Sequence, residues 1–127
     1  MYRILLVEDD LLVQEALQEA LKAENFDAIS CESGEQALRR AAIEKPDLAV
    51  VDVGLPDMSG FDVCRRLQAG PQTRHIPFLI LSGQAVGVKD RIAGLKLGAE
   101  DYLLKPLSLR VLVSRIKSIL RVSGKPC

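Results

Sequence analysis

The sequence has no long apolar run and no excess of charge of one sign. Its 127 residues include 17 Lys plus Arg and 17 Asp plus Glu, and no apolar stretch approaches the roughly 18 residues that a membrane-spanning helix needs. The opening residues, MYRILLVEDD, lack the basic segment, apolar block and cleavage site of a secretion signal. We therefore expect a cytoplasmic protein with no membrane partner and no direct nucleic-acid partner.

Cysteine is also scarce. Cys31, Cys64 and Cys127 are widely spaced, and the sequence contains no CxxC pair. An odd number of isolated cysteines argues against a disulfide framework and against a zinc site, and it is typical of a reducing compartment. We predict that Cys31 and Cys64 are small packing residues of the core.

Short apolar runs alternate along the chain with segments of helical periodicity. The runs cover residues 4–7, 26–31, 48–51, 78–81 and 102–104. Five strand–helix units in strict alternation predict an α/β fold, a doubly wound five-stranded parallel sheet with helices on both faces. We assign residues 1–121 to this domain and residues 122–127 to a C-terminal tail or the start of a linker.

The helices are marked by periodicity and by residues typical of helix ends. Asp10 is expected to cap the first helix, and Ser33 with Gln36 indicates a capping box for the second. Gly70 and Gly98 are expected to close the third and fourth helices. Apolar residues at helical spacing define one face of the first and last helices: Val13, Ala16, Leu17, Ala20 and Leu21, then Leu109, Leu112, Val113, Ile116 and Leu120.

Polar residues stand at the ends of four predicted strands: Glu8 and Asp9, Asp52, Ser82, and Lys105. The carboxyl ends of parallel strands share one edge of the sheet, where open α/β sheets bind ligands. We therefore expect three carboxylates, a hydroxyl and an ammonium group in one crevice. Such a site suits Mg²⁺, which takes one or two carboxylates, water and a phosphate oxygen. The first strand lacks the glycine-rich turn of a phosphate cradle.

The same residues suggest a reaction. With a cation bound, Asp52 could act as a nucleophile towards phosphorus and form an aspartyl phosphate. Lys105 would then balance the charge on the phosphoryl oxygens, and Ser82 could donate a hydrogen bond to one of them.

Four segments resemble the receiver domain of two-component response regulators: LLVEDD at 5–10, PDLAVVDVGLPDMSG at 46–60, IPFLILSG at 76–83 and LGAEDYLLKPL at 97–107. The resemblance extends from about residue 3 to residue 121, and the chain is similar to the chemotaxis response regulator. It implies a flavodoxin-like (βα)5 fold with strand order 2-1-3-4-5.

The resemblance also implies site residues. Asp52 would be the phosphoacceptor, and Asp9 a direct ligand of Mg²⁺ or Mn²⁺, with Glu8 assisting, often through water. Asp52 would also contact the metal, and Gly54 would supply a backbone carbonyl to it. Gly54 occupies a position that tunes the lifetime of the phosphoryl group in this family, as does Gln84.

Three further residues take roles from the same resemblance. Lys105 would pair with the phosphoryl group, and Ser82 would turn towards it. Tyr102 would be the switch whose ring swings inward when Ser82 moves. Pro106 would follow a cis peptide bond.

The implied function is a phosphorylation switch rather than an enzyme with a separate substrate. A sensor histidine kinase or a histidine phosphotransfer protein would phosphorylate Asp52. The signal would leave through the face formed by the fourth helix, fifth strand and fifth helix, roughly residues 88–121. The recipient would be a downstream protein or an output domain, and the sequence leaves open a homodimer formed on phosphorylation.

Three other functions are alternatives to this one. A phosphatase with an aspartate nucleophile would need a second acid at position 54, which is Gly. A flavin- or nucleotide-binding domain would need a phosphate cradle in place of Glu8 and Asp9. A receiver-like module that binds partners without phosphorylation stays open. His75, the single histidine, is expected in a surface loop.

Overall fold

The computed structural model describes residues 1–83, 88–105 and 108–122. Five strands alternate with five helices in these ranges. In chain order they are β1 Arg3–Val7, α1 Leu11–Ala23, β2 Asp27–Cys31, α2 Gly34–Glu44, β3 Leu48–Asp52, α3 Gly60–Ala69, β4 Phe78–Ser82, α4 Val88–Lys96, β5 Asp101–Leu104 and α5 Leu109–Val122. The five strands form one parallel sheet in the order β2-β1-β3-β4-β5, so the predicted fold and strand order are confirmed.

The strands differ in burial according to their place in the sheet. Every residue of β3 and β4 is buried, as is β1 after Arg3. Helices cover both faces of these central strands, and this explains their continuous apolar runs. The edge strands β2 and β5 are only partly buried. β2 begins at Asp27, one residue after the start of the predicted run at residue 26.

The core consists of two layers on opposite faces of the sheet. Residues of α2 and α3 pack with Leu5 and Val7 of β1 in one layer, and residues of α1 and α5 pack with Ile4 and Leu6 in the other. The alternation along β1 follows from the pleat, which turns successive side chains to opposite faces. Cys31 and Cys64 are fully buried in the first layer, which confirms their predicted packing role.

The helix ends follow the sequence signals closely. Asp10 caps α1 by accepting hydrogen bonds from the N–H groups of Leu12 and Val13. Ser33 caps α2 through the N–H of Gln36, but the Gln36 amide oxygen accepts from Glu32 rather than from Ser33. Gly98 follows α4 with a φ of 97°, a conformation that glycine adopts without a steric penalty.

Some predictions fall outside the described residues. The cis bond before Pro106, the position of Gln84 and residues 123–127 are among them, and the division between domain and tail stays a prediction. Within the described ranges, no helix is both long enough and apolar enough to span a membrane.

Candidate functional site

The crevice lies at the carboxyl edge of the sheet, where the strand order reverses around β1. Val7 of β1 lies beside Val51 of β3 in the register, so the residues that follow them emerge next to each other. One carboxylate oxygen from each of Glu8, Asp9 and Asp52 lies within 4.8 Å of the others. The structure therefore brings together the three acids that the sequence assigned to one site.

Lys105 reaches these acids from the end of β5, two strands beyond β3. Its ammonium group donates a hydrogen bond to Oε1 of Glu8 and lies 3.3 Å from Oδ1 of Asp52. The backbone N–H of Lys105 donates to the carbonyl of Ser82 at 2.7 Å, which fixes the chain just after β5. The predicted ammonium group is thus present in the crevice and pairs with two of the acids.

The acids differ in their access to water. Glu8 and Asp52 are buried, with 1% and 5% of their surface exposed, whereas Asp9 is exposed. Burial raises the pKa of Glu8, and the hydrogen bond from Lys105 offsets this only in part. Burial alone would lower the pKa of Lys105, but the bond to Glu8 and the charge of Asp52 outweigh it, so that pKa is raised. The site therefore holds a firmly protonated lysine beside a carboxylate that is costly to ionise.

The donor set fits a hard divalent cation. With all four groups ionised, three carboxylates and one ammonium leave a net charge of two negative units, which a divalent ion would balance. Their oxygen atoms are close enough to share one ion, and oxygen is the ligand that Mg²⁺ prefers. The exposed Asp9 leaves one side of the cluster open to water. Glu8, Asp9 and Asp52 therefore form a set of oxygen ligands that is suited to Mg²⁺.

Ser82 and Gly83 complete the edge of the crevice. Ser82 ends β4 with 2% of its surface exposed, and it lies beside Leu104, the residue before Lys105. A Cβ atom at Gly83 would lie 3.8 Å from Cδ of Lys105, so the lysine stem runs past this glycine. The predicted hydroxyl thus lies on the strand between those of Asp52 and Lys105.

A family model for the response regulator receiver domain matches residues 4–117. The chain belongs to the response regulator receiver domain family. This receiver domain contains the acid cluster, the lysine and the hydroxyl within that matched range.

Its relatives include transcriptional and cell cycle regulators. The alkaline phosphatase synthesis transcriptional regulatory protein PhoP of Bacillus subtilis is 41% identical over 121 residues, which are 95% of this chain and 49% of PhoP. The cell cycle response regulator CtrA of Brucella ovis is 38% identical over 121 residues, 95% of this chain and 51% of CtrA. The receiver domain thus spans about half the length of these curated relatives.

A solved structure shows the same architecture. The non-phosphorylated receiver domain of HemR from Leptospira biflexa matches with a TM-score of 0.85 and 32% identity, and the match covers 94% of each chain. Fold and family therefore agree between sequence and structure comparisons.

The side chain of Tyr102 packs in the core of this receiver domain. The side chain is buried, with 1% of its surface exposed, and its ring stacks on Phe61 with a centroid separation of 6.4 Å. Its hydroxyl is buried and has no hydrogen-bond partner among the described residues. The structure thus records the inward position of the ring, and the predicted swing stays a prediction.

Two other sequence assignments concern Gly54 and His75. Gly54 is exposed just after Asp52, and a Cβ atom there would lie 3.9 Å from Oδ2 of Asp52. The predicted role of its carbonyl stays a prediction. His75 is exposed before β4, at the edge of the sheet opposite the crevice, as expected for a surface loop residue.

Gln14 is a site residue that the sequence reasoning missed. Its buried amide donates to the carbonyl of Glu8 at 3.0 Å and to that of Cys31 at 3.4 Å. It therefore holds together the ends of β1 and β2 beside the acids. The signal was present, because Gln14 is a polar residue in helical register with the apolar Leu17 and Leu21.

Proposed function

We propose that this receiver domain is a phosphorylation switch in which Asp52 accepts a phosphoryl group from a phosphohistidine. The observation that supports this most directly is the cluster of Glu8, Asp9 and Asp52 around the ammonium of Lys105. Asp52 is the proposed acceptor because it ends β3, the middle strand of the sheet, and its carboxylate lies 3.3 Å from the ammonium group of Lys105. A sensor histidine kinase or a histidine phosphotransfer protein is the proposed donor.

The proposed step is an in-line displacement at phosphorus. A carboxylate oxygen of Asp52 forms a bond to phosphorus while the bond between phosphorus and the donor imidazole nitrogen breaks. The imidazole leaves with the electron pair and takes up a proton from solvent. Lys105 neutralises charge on the phosphoryl oxygens, and the Ser82 hydroxyl donates a hydrogen bond to one of them.

Glu8, Asp9, Asp52 and the carbonyl of Gly54 are the proposed ligands of Mg²⁺ or Mn²⁺. When bound, the ion supplies charge neutralisation that lets an anionic nucleophile approach an anionic phosphoryl group. Without it, carboxylates about 4 Å apart repel each other by roughly 4 kcal/mol at an effective dielectric constant of 20. Lys105 offsets part of this repulsion through its contacts with Glu8 and Asp52.

The proposed output surface is the face formed by α4, β5 and α5. Leu95 of α4 and Leu104 of β5 are 50% and 42% exposed there, and Arg115 of α5 pairs with Asp101 of β5 at 3.2 Å. Exposed apolar residues beside a charged pair are typical of a protein-binding surface. We propose that this face meets a downstream protein, an output domain or a second copy of the chain after phosphorylation.

Intact-mass spectrometry tests the phosphoacceptor directly. The wild-type protein is incubated with Mg²⁺ and a small-molecule phosphodonor, and Asp52→Ala, an EDTA sample and Asp62→Ala serve as comparisons. We expect one phosphoryl adduct in the wild type and in Asp62→Ala, since Asp62 is a partly exposed acid that pairs with Arg65 outside the crevice. The adduct should be absent from Asp52→Ala and with EDTA.

Two results would contradict the proposed function. An adduct that persists in Asp52→Ala would place the acceptor elsewhere. If the wild type forms no adduct and binds no beryllofluoride, the domain works as a binding module without phosphorylation.

A further inference from the structure

The loop that follows Asp52 is attached at its tip to the first turn of α2. Oδ1 of Asp57 accepts a hydrogen bond from the N–H of Gly34 at 2.8 Å, and Oδ2 accepts one from the N–H of Glu35 at 2.9 Å. Both donors are N–H groups that an α-helix leaves without an intrahelical partner. Asp57 is exposed, so this carboxylate is held by two directed bonds rather than by burial.

The attachment is reinforced by close packing. A Cβ atom at Gly34 would lie 2.7 Å from Sδ of Met58 and 2.9 Å from Cγ2 of Val63. No side chain fits between the start of α2 and the loop tip. Asp57 and Met58 therefore fasten the tip to Gly34 by a polar contact and an apolar one.

The base of the same loop is fastened to the phosphoacceptor strand. The N–H of Gly60 donates to the carbonyl of Val53 at 2.9 Å, and Gly54 pairs with Ser59 in an antiparallel bridge. A Cβ atom at Gly60 would lie 2.8 Å from the carbonyl carbon of Asp52. Residues 53–60 therefore form a closed turn that holds Gly54 at its base and is attached to α2 at its tip.

The start of α2 is in turn connected to the other half of the acid cluster. α2 follows β2 after a two-residue link, and the carbonyl of Cys31 at the end of β2 accepts from the N–H of Glu8 at 3.0 Å. Contacts thus run from Asp57 through Gly34 and Cys31 to Glu8. They join the strand end that carries Glu8 and Asp9 to the loop that carries Gly54.

We propose that Asp57 is a positioning residue for the divalent cation: by fixing residues 53–60 to α2, it sets Gly54 against the acids of β1. This inference rests on the proposed Mg²⁺-dependent function. Asp57 belongs to no cation-ligand cluster found among the described residues, and it acts on the ligands through the backbone. Residues that orient metal ligands typically change affinity by about tenfold or more when removed.

Three substitutions at Asp57 distinguish the effect of its two hydrogen bonds to α2 from the effect of its negative charge. Asp57→Ala removes both acceptors. Asp57→Asn keeps one acceptor oxygen at the same reach but loses the charge, whereas Asp57→Glu keeps the charge but is one methylene longer. Asp62→Ala removes a partly exposed acid near the same loop whose carboxylate pairs with Arg65, and it serves as the matched control.

The measurement is the affinity for Mn²⁺ by electron paramagnetic resonance, with Mg²⁺ competition and chemical denaturation on each variant. We expect the dissociation constant to rise roughly tenfold in Asp57→Ala and Asp57→Glu and only about twofold to threefold in Asp57→Asn. Asp62→Ala should bind like the wild type. At saturating Mg²⁺ the rate of phosphoryl uptake should recover to about the wild-type value in every folded variant, since Asp57 does not contact the reacting atoms.

The alternatives give different patterns. If Asp57→Glu binds like the wild type while Asp57→Asn matches Asp57→Ala, the effect is electrostatic and the inference is wrong. Unchanged affinity in a folded Asp57→Ala also overturns it, and then Asp57 only caps α2. If Asp57→Ala does not fold, the dissociation constants of Asp57→Asn and Asp57→Glu still distinguish the two explanations, since the inference expects weaker binding in Asp57→Glu than in Asp57→Asn. A wild type that binds neither ion overturns the proposed function itself, and the inference with it.

Discussion

Glu8 is a carboxylate that the fold removes almost completely from water. Only 1% of its surface is exposed. Its carboxylate accepts hydrogen bonds from Lys105 and from the N–H of Asp10 at 3.1 Å, and the like charge of Asp52 lies nearby. Burial raises its pKa above the ordinary value of 4.5. A group whose pKa is raised by folding binds its proton more tightly in the folded state.

The stability of the metal-free domain should therefore depend on Glu8 and pH. The stability that the domain gains from the raised pKa of Glu8 is fully present below pH 4.5. This gain in the free energy of unfolding is lost as the pH rises through the folded-state pKa of Glu8. Glu8→Gln resembles the protonated form, so in EDTA we expect it to be more stable than the wild type at pH 8. The difference should disappear below pH 4.5.

Urea denaturation at several pH values measures this difference. Glu15→Gln is the matched control, because Glu15 is exposed on α1 and lies outside the acid cluster. A Glu8→Gln protein that is less stable than the wild type at pH 8 would mean that the bond to Lys105 outweighs burial.

The sequence predicted which residues form this site but not how they pair. Glu8, Asp52 and Lys105 were assigned to one edge because strand ends share it. The hydrogen bond between Glu8 and Lys105 joins residues 97 positions apart, and Asp57 contacts Gly34 across 23 positions. Such pairings depend on side-chain conformation in the packed domain, and no local pattern encodes them.

At the scale of secondary structure elements, α4 packs on β5 through a glycine. A Cβ atom at Gly94 would lie 2.9 Å from Cδ2 of Tyr102 and 3.2 Å from Cδ1 of Ile80. Glycine inside a helix costs up to about 1 kcal/mol relative to alanine. Gly94 therefore lowers the helix propensity of α4 but leaves room for the ring of Tyr102 to pack against the helix.

Gly94→Ala should destabilise the domain by about 1–2 kcal/mol, because steric strain against Tyr102 exceeds the gain in helix propensity. In a Tyr102→Leu background the ring is gone, and the same change should become neutral or stabilising. Thermal denaturation of the two single variants and the double variant measures this coupling. Equal effects of Gly94→Ala in both backgrounds would show that the ring does not limit the space at position 94.

Local sequence patterns predict single secondary structure elements better than they predict the contacts between them. The cap at Asp10 and the helix ends at Gly70 and Gly98 were predicted because each depends on a few neighbouring residues. The close approach of α4 to Tyr102 was not, because it depends on which helix covers which strand. The strand order came from the family resemblance, since periodicity alone orders strands along the chain and not across a sheet.

At the scale of the whole molecule, binding of Mg²⁺ should stabilise the domain against unfolding. The proposed ligands come from two strands and one loop, so the unfolded chain offers no formed site. At ten times the dissociation constant we expect a gain of about 1.4 kcal/mol and a rise in melting temperature of roughly 3–6 °C. Differential scanning calorimetry with and without MgCl₂ measures the rise in melting temperature.

NaCl at equal ionic strength and the Asp52→Asn variant provide the controls for this gain. An equal rise with NaCl would mean general charge screening. A full rise in Asp52→Asn would mean that binding of the ion does not need the carboxylate of Asp52.

The pairing of Lys105 with Glu8 has a consequence for synthesis on the ribosome. Because the two residues are 97 positions apart, and translation adds about 5–20 residues per second, roughly 5–20 s separate their appearance. Asp52 is made 44 positions after Glu8, and from then until position 105 the nascent chain has all three acids but lacks the lysine that pairs with Glu8 and Asp52. A truncated chain that ends before β5 would lack this lysine, so the acid cluster gains its counter-charge only when nearly the whole domain has been made.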